Sequence, residues 1–337
     1  MHRTLSHWLA ATFLAAATHT AAAPPPEAPQ GWSRLRFEHA GLAITARLDI
    51  TRNTVTAADL PATDASLPGA LRPSGEAVGR LLVRSYFELP PLLHRRREAV
   101  LWFEPASYAA LHGTRETSGI GAGYRVSRYA TEGVHVANSS PTNRTERESS
   151  PGTWTAVARS FLTYGPAAKA CTVISEPVAL LLLDPASLHE AIAGPGLCVI
   201  SKKRLHRVIF SAPVEATLEA HYKVHAADGT TTPMQKTRAW RYSFRLRPAE
   251  GDEGASAGHN DTFLGLSGDI QIHVDAVTGT PLRLSGNAPL LGRVEFRLRD
   301  LWPASTPAGR QPSTPGALRS LPASGHHGQI ASPDLAP

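Results

Sequence analysis

The stretch Arg238-Ala239-Trp240-Arg241-Tyr242-Ser243-Phe244-Arg245-Leu246-Arg247 alternates without a break. On an extended backbone successive side chains point to opposite sides, so Trp240, Tyr242, Phe244 and Leu246 share one face and Arg241, Ser243, Arg245 and Arg247 the other. The same two-residue rhythm recurs outward in both directions. Leu42, Ile44, Ala46, Leu48 and Ile50 alternate with Ala43, Thr45, Arg47 and Asp49. Leu81, Val83 and Phe87 share a phase, Val100 to Phe103 is a short apolar run, and 205–210 reads as a strand. Leu218, Ala220, Tyr222 and Val224 oppose Glu219, His221, Lys223 and His225. Ile270, Ile272 and Val274 lead through a turn at Asp275 to Gly279 into 281–285 and then 293–301. Tyr124 to Tyr129 and Val134 to Val136 flank Thr131-Glu132-Gly133, which predicts a hairpin turn with Gly133 at a position needing positive φ.

The connections are of hairpin length, whereas parallel neighbours need a crossover of a dozen or more residues. The expected fold is therefore mainly β: an antiparallel curled sheet or incomplete barrel with two or three short helices. Ser175 is placed to cap a helix over 176–183. Asp184 can cap a second, with Pro185 at its first position and Gly194 after its end, and 105–111, closed by Gly113, is a third candidate. Two of the three fall in 171–198, the expected helical insertion.

The ends of the chain have a different composition. Met1-His2-Arg3, an apolar run over 8–17, small residues to Ala23 and then Pro24-Pro25-Pro26 follow the order of a secretory signal, with an apolar run too short to span a bilayer. Residues 1–23 are expected to be the signal and 24–34 a Pro-rich linker. No cysteine near the cut offers a lipoprotein attachment atom. From Pro303 to Pro337 apolar periodicity fades and Pro and Ser accumulate, which predicts a disordered tail carrying His326-His327. A single β-rich domain over 35–302 remains. With 42% hydrophobic and 18% charged residues, the chain of 337 is no disordered polyelectrolyte. Export to an oxidising, periplasmic compartment allows Cys171 and Cys198 to pair, which stabilises by about 3 kcal/mol in the chain-entropy model.

Catalytic signatures are absent. Gly265-Leu266-Ser267-Gly268 lacks the spacing of a nucleophile elbow, and Ser201-Lys202-Lys203 is not an SxxK motif. Gly119-Ile120-Gly121-Ala122-Gly123 lacks the third glycine spacing of a dinucleotide fingerprint and precedes a strand. His221 and His225 lie about 13 Å apart on a strand, too far for one ion, and Asp261, Asp269 and Asp275 sit in separate turns. No catalytic residue, cofactor or metal site is assigned. The sequons at Asn138, Asn143 and Asn260 lie in predicted loops.

Charge is the visible asymmetry. Lys and Arg number 34 against 28 acids, a net charge of +6, and loss of 1–23 removes only Arg3, leaving +5. Arg95, Arg96, Arg97, Lys202, Lys203, Arg204 with Arg207, and Arg241, Arg245 and Arg247 are candidate anion-binding residues. In an exported protein their partners are anionic lipid or acidic polysaccharide, and no nucleic acid is expected.

Tyr124-Arg125-Val126-Ser127-Arg128-Tyr129 with Glu132-Gly133-Val134, the run Glu176-Pro177-Val178-Ala179-Leu180-Leu181-Leu182, and Val274-Asp275 to Thr280-Pro281-Leu282-Arg283 with Gly292-Arg293-Val294 together resemble a bacterial group. These are exported, β-rich domains of unknown function of the proteobacterial envelope. The resemblance covers 35–301 and implies an antiparallel, partly closed sheet with a short helical insert. It brings no catalytic residues, and the Arg clusters and cysteine pair lie outside its pattern. The expected function is a non-catalytic envelope protein whose curled sheet holds a lipid-like molecule or a partner segment. The alternative is an electrostatic adaptor that docks on acidic envelope polymers or lipid head groups through its Arg faces. An integral outer-membrane barrel is disfavoured, because its belt needs many strands of roughly 9–11 residues with girdle aromatics.

Overall fold

Eight consecutive strands form a meander in which each pairs antiparallel with the next: β1 (Trp32–Ala40), β2 (Thr45–Thr56), β3 (Ala77–Leu89), β4 (Leu93–Phe103), β5 (Ala110–Gly119), β6 (Gly123–Tyr129), β7 (Gly133–Ser140) and β8 (Ala156–Thr163). The computed structural model describes residues 31–304 except 41–44, 62–66, 90–92, 120, 184–195, 202–203, 250–262 and 289–291. The expected signal, most of the linker and nearly all of the tail lie outside the described residues, as do Leu42, Ile44, Lys202, Lys203 and the helix expected from Asp184.

The second half supplies β9 (Val173–Ser175), β10 (Leu197–Ser201), β11 (Arg204–Phe210), β12 (Val214–His225), β13 (Thr231–Pro248), β14 (Ser267–Asp275), β15 (Pro281–Ala288) and β16 (Gly292–Pro303). β12 pairs antiparallel with β13 and, at Lys223↔Asp300 and Val224↔Leu301, parallel with β16. That contact closes β12, β13, β14, β15 and β16 into a five-strand barrel. β13 is long enough, at 18 residues, to take β12 along its first part and β11 along its last. The meander joins the barrel where β1 lies on β16, with Leu35 opposite Leu301 and Phe37 opposite Leu298.

Alternation places the core. Ala46, Leu48, Ile50, Leu81, Val83, Leu218, Ala220, Tyr222, Tyr242, Phe244, Ile270, Ile272 and Val274 are all buried in one apolar cluster, against which Trp240 and Leu246 pack half-buried. The run Val100 to Phe103 escapes alternation because both faces of β4 are covered at that end. Leu101 and Phe103 join the main core, while Val100 and Trp102 join Val78 and Leu111 in a second cluster beneath Ala57, Leu60 and Leu71.

Among the described residues helical content is small: α1 (Arg144–Glu148), capped by the Asn143 side chain, and short 3-10 turns. The expected helix over 176–183 is instead a 3-10 turn, Pro177–Leu182, and its cap residue is Glu176 rather than Ser175. Ser175 is committed to β9, which pairs parallel with β10, and its hydroxyl donates to the Tyr108 carbonyl at 2.9 Å. The turn has no polar face; every residue from Pro177 to Leu182 is buried. The helix expected over 105–111 is absent. Tyr108 takes φ 61°, a left-handed value that stops a helix, and β5 starts at Ala110 with Gly113 inside it. Gly133 begins β7 and is not among the positive-φ residues. Its missing side chain serves close approach, since a Cβ would run into the Leu162 carbonyl oxygen of β8. Cys171 and Cys198 form a disulfide with Cα atoms 5.6 Å apart, tying the stretch before β9 to β10. Among the described residues no helix is long and apolar enough to cross a membrane.

Candidate functional site: a basic recess on the inner face of the meander

The alternation that sends Leu101 and Phe103 of β4 into the core puts Arg95, Arg97 and Ala99 on that same inner face, and Arg96 and Glu98 on the outer one. Register carries the inner row sideways. Arg97 lies opposite Ser85 of β3 and Thr117 of β5, and Ala99 opposite Val83 and Arg115. Arg115 lies directly opposite Arg125 of β6. Guanidinium groups from three neighbouring strands therefore share one face.

The 3-10 turn Pro177–Leu182 packs over this face and brings Glu176 with it. A carboxylate oxygen of Glu176 is 3.2 Å from Arg115 Nη2, and the glycine at 113 makes room for it, because a Cβ there would come within 3.3 Å of Oε1. Arg125 Nε donates to Ser127 Oγ at 3.2 Å. The Tyr129 hydroxyl is raised well above its ordinary pKa, first by complete burial and then by the neighbouring Glu176 charge.

Two adjoining hollows share Ala99, Arg115 and Val178. The larger is shallow and open to solvent, with about 50 Å³ of free space, and is bounded by Val83, Ser85, Arg97, Pro177, Leu264 and Gly265. The smaller, with about 10 Å³ of free space, reaches Gly113, Thr114, Arg125, Ser127 and Glu176. Burial, and then the charges of Arg95 and Arg115, push Arg97 down to about 10, so it remains a cation at neutral pH. Arg95 Nε, Arg97 Nε and one terminal nitrogen of Arg125 are shielded from solvent and have no hydrogen-bond partner among the described residues. A buried cationic donor without a partner is costly, and these three lie on one side of one sheet. The hydroxyls lining the hollows belong to Ser85, Ser127 and Thr114, and no histidine lines either one. The chemistry available is the binding of an anion by forked donors beside an apolar wall.

Of the residues singled out in the sequence, Arg95 and Arg97 belong to this face. Arg96 faces away, with Nη2 3.4 Å from Glu98 and its guanidinium over the Tyr86 ring. Arg204 is exposed at the start of β11, and Lys202 and Lys203 lie outside the described residues. Arg245 and Arg247 are exposed on β13, and Arg241 is half-buried opposite His273. The β4 and β13 arginines are thus on different elements and do not form one patch. Arg115, Arg125 and Glu176 were not singled out, because each is isolated among polar or apolar neighbours and only strand register unites them.

Outside the recess several arginines meet a carboxylate. Arg34, Arg36 and Arg47 converge on Asp49 at 3.7, 3.0 and 2.8 Å, and Arg84 meets Glu98 at 2.7 Å. Among the described residues no three His, Cys, Asp or Glu side chains converge. No family model, no curated protein and no solved structure matches this chain, so the geometry of the recess carries the functional argument alone.

Proposed function

We propose that the protein is a non-catalytic, exported envelope protein that holds the anionic end of a ligand in the recess between Arg97, Arg115 and Arg125, with the ligand's apolar part against Val83, Val178 and Leu264. One observation carries this: Arg97, Arg115 and Arg125 line two adjoining hollows in which Glu176 is the one carboxylate among the described lining residues, and Arg97, Arg125 and the neighbouring Arg95 keep unpartnered, buried nitrogen atoms. A bound anion supplies the missing acceptors. Val178 to Leu182 are themselves buried in the main apolar core, so a ligand would sit in the solvent-open hollow beside Pro177 and Val178. The disulfide supports an oxidising compartment, and the order of residues 1–23 supports export.

Mass spectrometry of the denatured, purified protein tests the proposal. An anionic amphiphile should be released from the wild type and from R245Q, which alters β13, but not from the double variant R115Q/R125Q. Recovery of the same molecule from R115Q/R125Q, or no binding of dodecyl phosphate and laurate by the wild type, overturns it.

A second reading draws support from the barrel's outer face, where Arg241, Arg283 and Arg293 surround His273 with Glu295 as the nearby acid. There the protein would dock on anionic envelope polymer. Sedimentation with dextran sulfate that is unchanged in R241Q/R293Q removes that reading.

A further inference from the structure

Resting on the proposal that the recess binds an anion, we infer that it selects a doubly charged phosphoryl group, the head of a phosphate monoester of an apolar alcohol, over a carboxylate.

The protein contains its own control for a carboxylate. Glu176 already presents one to the cluster, and it engages Arg115 alone at 3.2 Å. Nitrogen atoms of Arg95, Arg97 and Arg125 remain without partners in its presence. One carboxylate, with two oxygens and one charge, does not saturate the site. Arg115 and Arg125 face each other directly across β5 and β6, and Arg97 lies diagonal to Arg115 across β4 and β5. Like charges directly opposite on a sheet destabilise it, at side-chain spacings of about 4.5–5.5 Å. The three guanidiniums that line the hollows less one carboxylate leave an excess of two positive charges. A monoanion offsets one of these and a phosphate monoester dianion offsets both.

Shape agrees with charge. A terminal phosphoryl group offers three oxygens, one for each of the forks of Arg97, Arg115 and Arg125, and guanidinium forks pair with phosphate in bidentate fashion. The hydroxyls of Ser85 and Ser127 lie in the same two hollows and can donate to any oxygen left over. Val83, Pro177, Val178 and Leu264 line the larger hollow and would take the alcohol's apolar end. A diester, with one negative charge and two substituents, fits neither the charge count nor the single apolar lane.

Calorimetric titration of the purified protein with dodecyl phosphate, didodecyl phosphate, laurate and inorganic phosphate between pH 5 and pH 8 tests this. The second ionisation of a phosphate monoester lies near pH 6, so affinity for dodecyl phosphate should rise about tenfold between pH 5 and pH 7 and then level off. Laurate and the diester should show no such rise, and should bind at least about tenfold more weakly at pH 7.5. The charged and titratable groups facing the ligand are Arg95 and Arg97 from β4, Arg115 from β5, Arg125 and Tyr129 from β6, and Glu176 from the turn. Arg97, at about 10, and Tyr129, raised by burial, keep their protons throughout this range. Glu176→Gln removes the carboxylate, and there the step should persist while affinity for dodecyl phosphate increases. Arg115→Lys keeps the charge but loses the fork and should weaken dodecyl phosphate at least about tenfold; unchanged affinity would overturn the bidentate arrangement. If laurate binds as tightly as dodecyl phosphate with no pH step, phosphoryl selection fails while anion binding stands. If no probe binds, both fail. These wild-type comparisons decide the matter even where a variant does not fold.

Discussion

His112 is buried on β5, edge-on to Trp102 at 5.1 Å and opposite Arg128, with both ring nitrogens unpartnered. Burial, and then the Arg128 charge, push it down to about 4. His273 also falls to about 4, through burial and then Arg283 and Arg241, which outweigh Glu295. An unfolded imidazole titrates near 6.5, so between pH 6.5 and about 4 the unfolded chain binds more protons than the native one. Native stability is therefore lost as pH falls through that window. Urea midpoints measured from pH 7 to pH 4.5 should drop, and His112→Phe, which keeps a ring against Trp102, should make the drop shallower while leaving pH 7 stability within about 1 kcal/mol. Gly133→Ala should lower stability by about 1–3 kcal/mol in the same assay, because the added methyl meets the Leu162 carbonyl oxygen, which cannot turn aside, as well as the Phe161 ring. At this scale the sequence was legible in part. Arg95-Arg96-Arg97 was visible as charge, and alternation divides it between two faces, but the arrival of Arg115 and Arg125 beside Arg97 depends on strand register, which charge runs do not encode.

Among the elements, the 3-10 turn Pro177–Leu182 and the bridge just before it decide the shape of the recess. The Cys171–Cys198 disulfide anchors the start of the stretch that delivers Glu176. The variant C171S/C198S should lose on the order of 3 kcal/mol in urea denaturation. The run from Val178 was legible as an apolar element. Its 3-10 form and its cap were not, because Ser175 looks like a helix cap until the parallel pairing of β9 with β10 claims it. In the same way 105–111 carries helix-compatible residues, yet the left-handed Tyr108 and the start of β5 take precedence. Local propensity yields here to pairing with distant strands.

In the whole molecule, β16 is the hub: it pairs with β15 over 292–297, with β1 over 297–303 and with β12 at Asp300 and Leu301. Leu301 sits between Leu35 and Val224 and is 3% exposed. Leu301→Ala should cost about 2–5 kcal/mol, read as a shift in the denaturation midpoint. Hairpin connections and two-residue alternation made the antiparallel meander legible. The closure of the barrel was not, since two residue pairs between β12 and β16 join strands separated by three others in sequence.

β1 and β16 also bring the first and last described residues together, with the Ala304 amide 3.4 Å from the Gly31 carbonyl. Where a polypeptide starts is then a matter of bookkeeping rather than architecture. A gene rearranged so that a short bridge links 31 to 304, with new termini cut into the exposed turn at Asp228-Gly229, should yield a circular permutant with an unaltered circular dichroism spectrum.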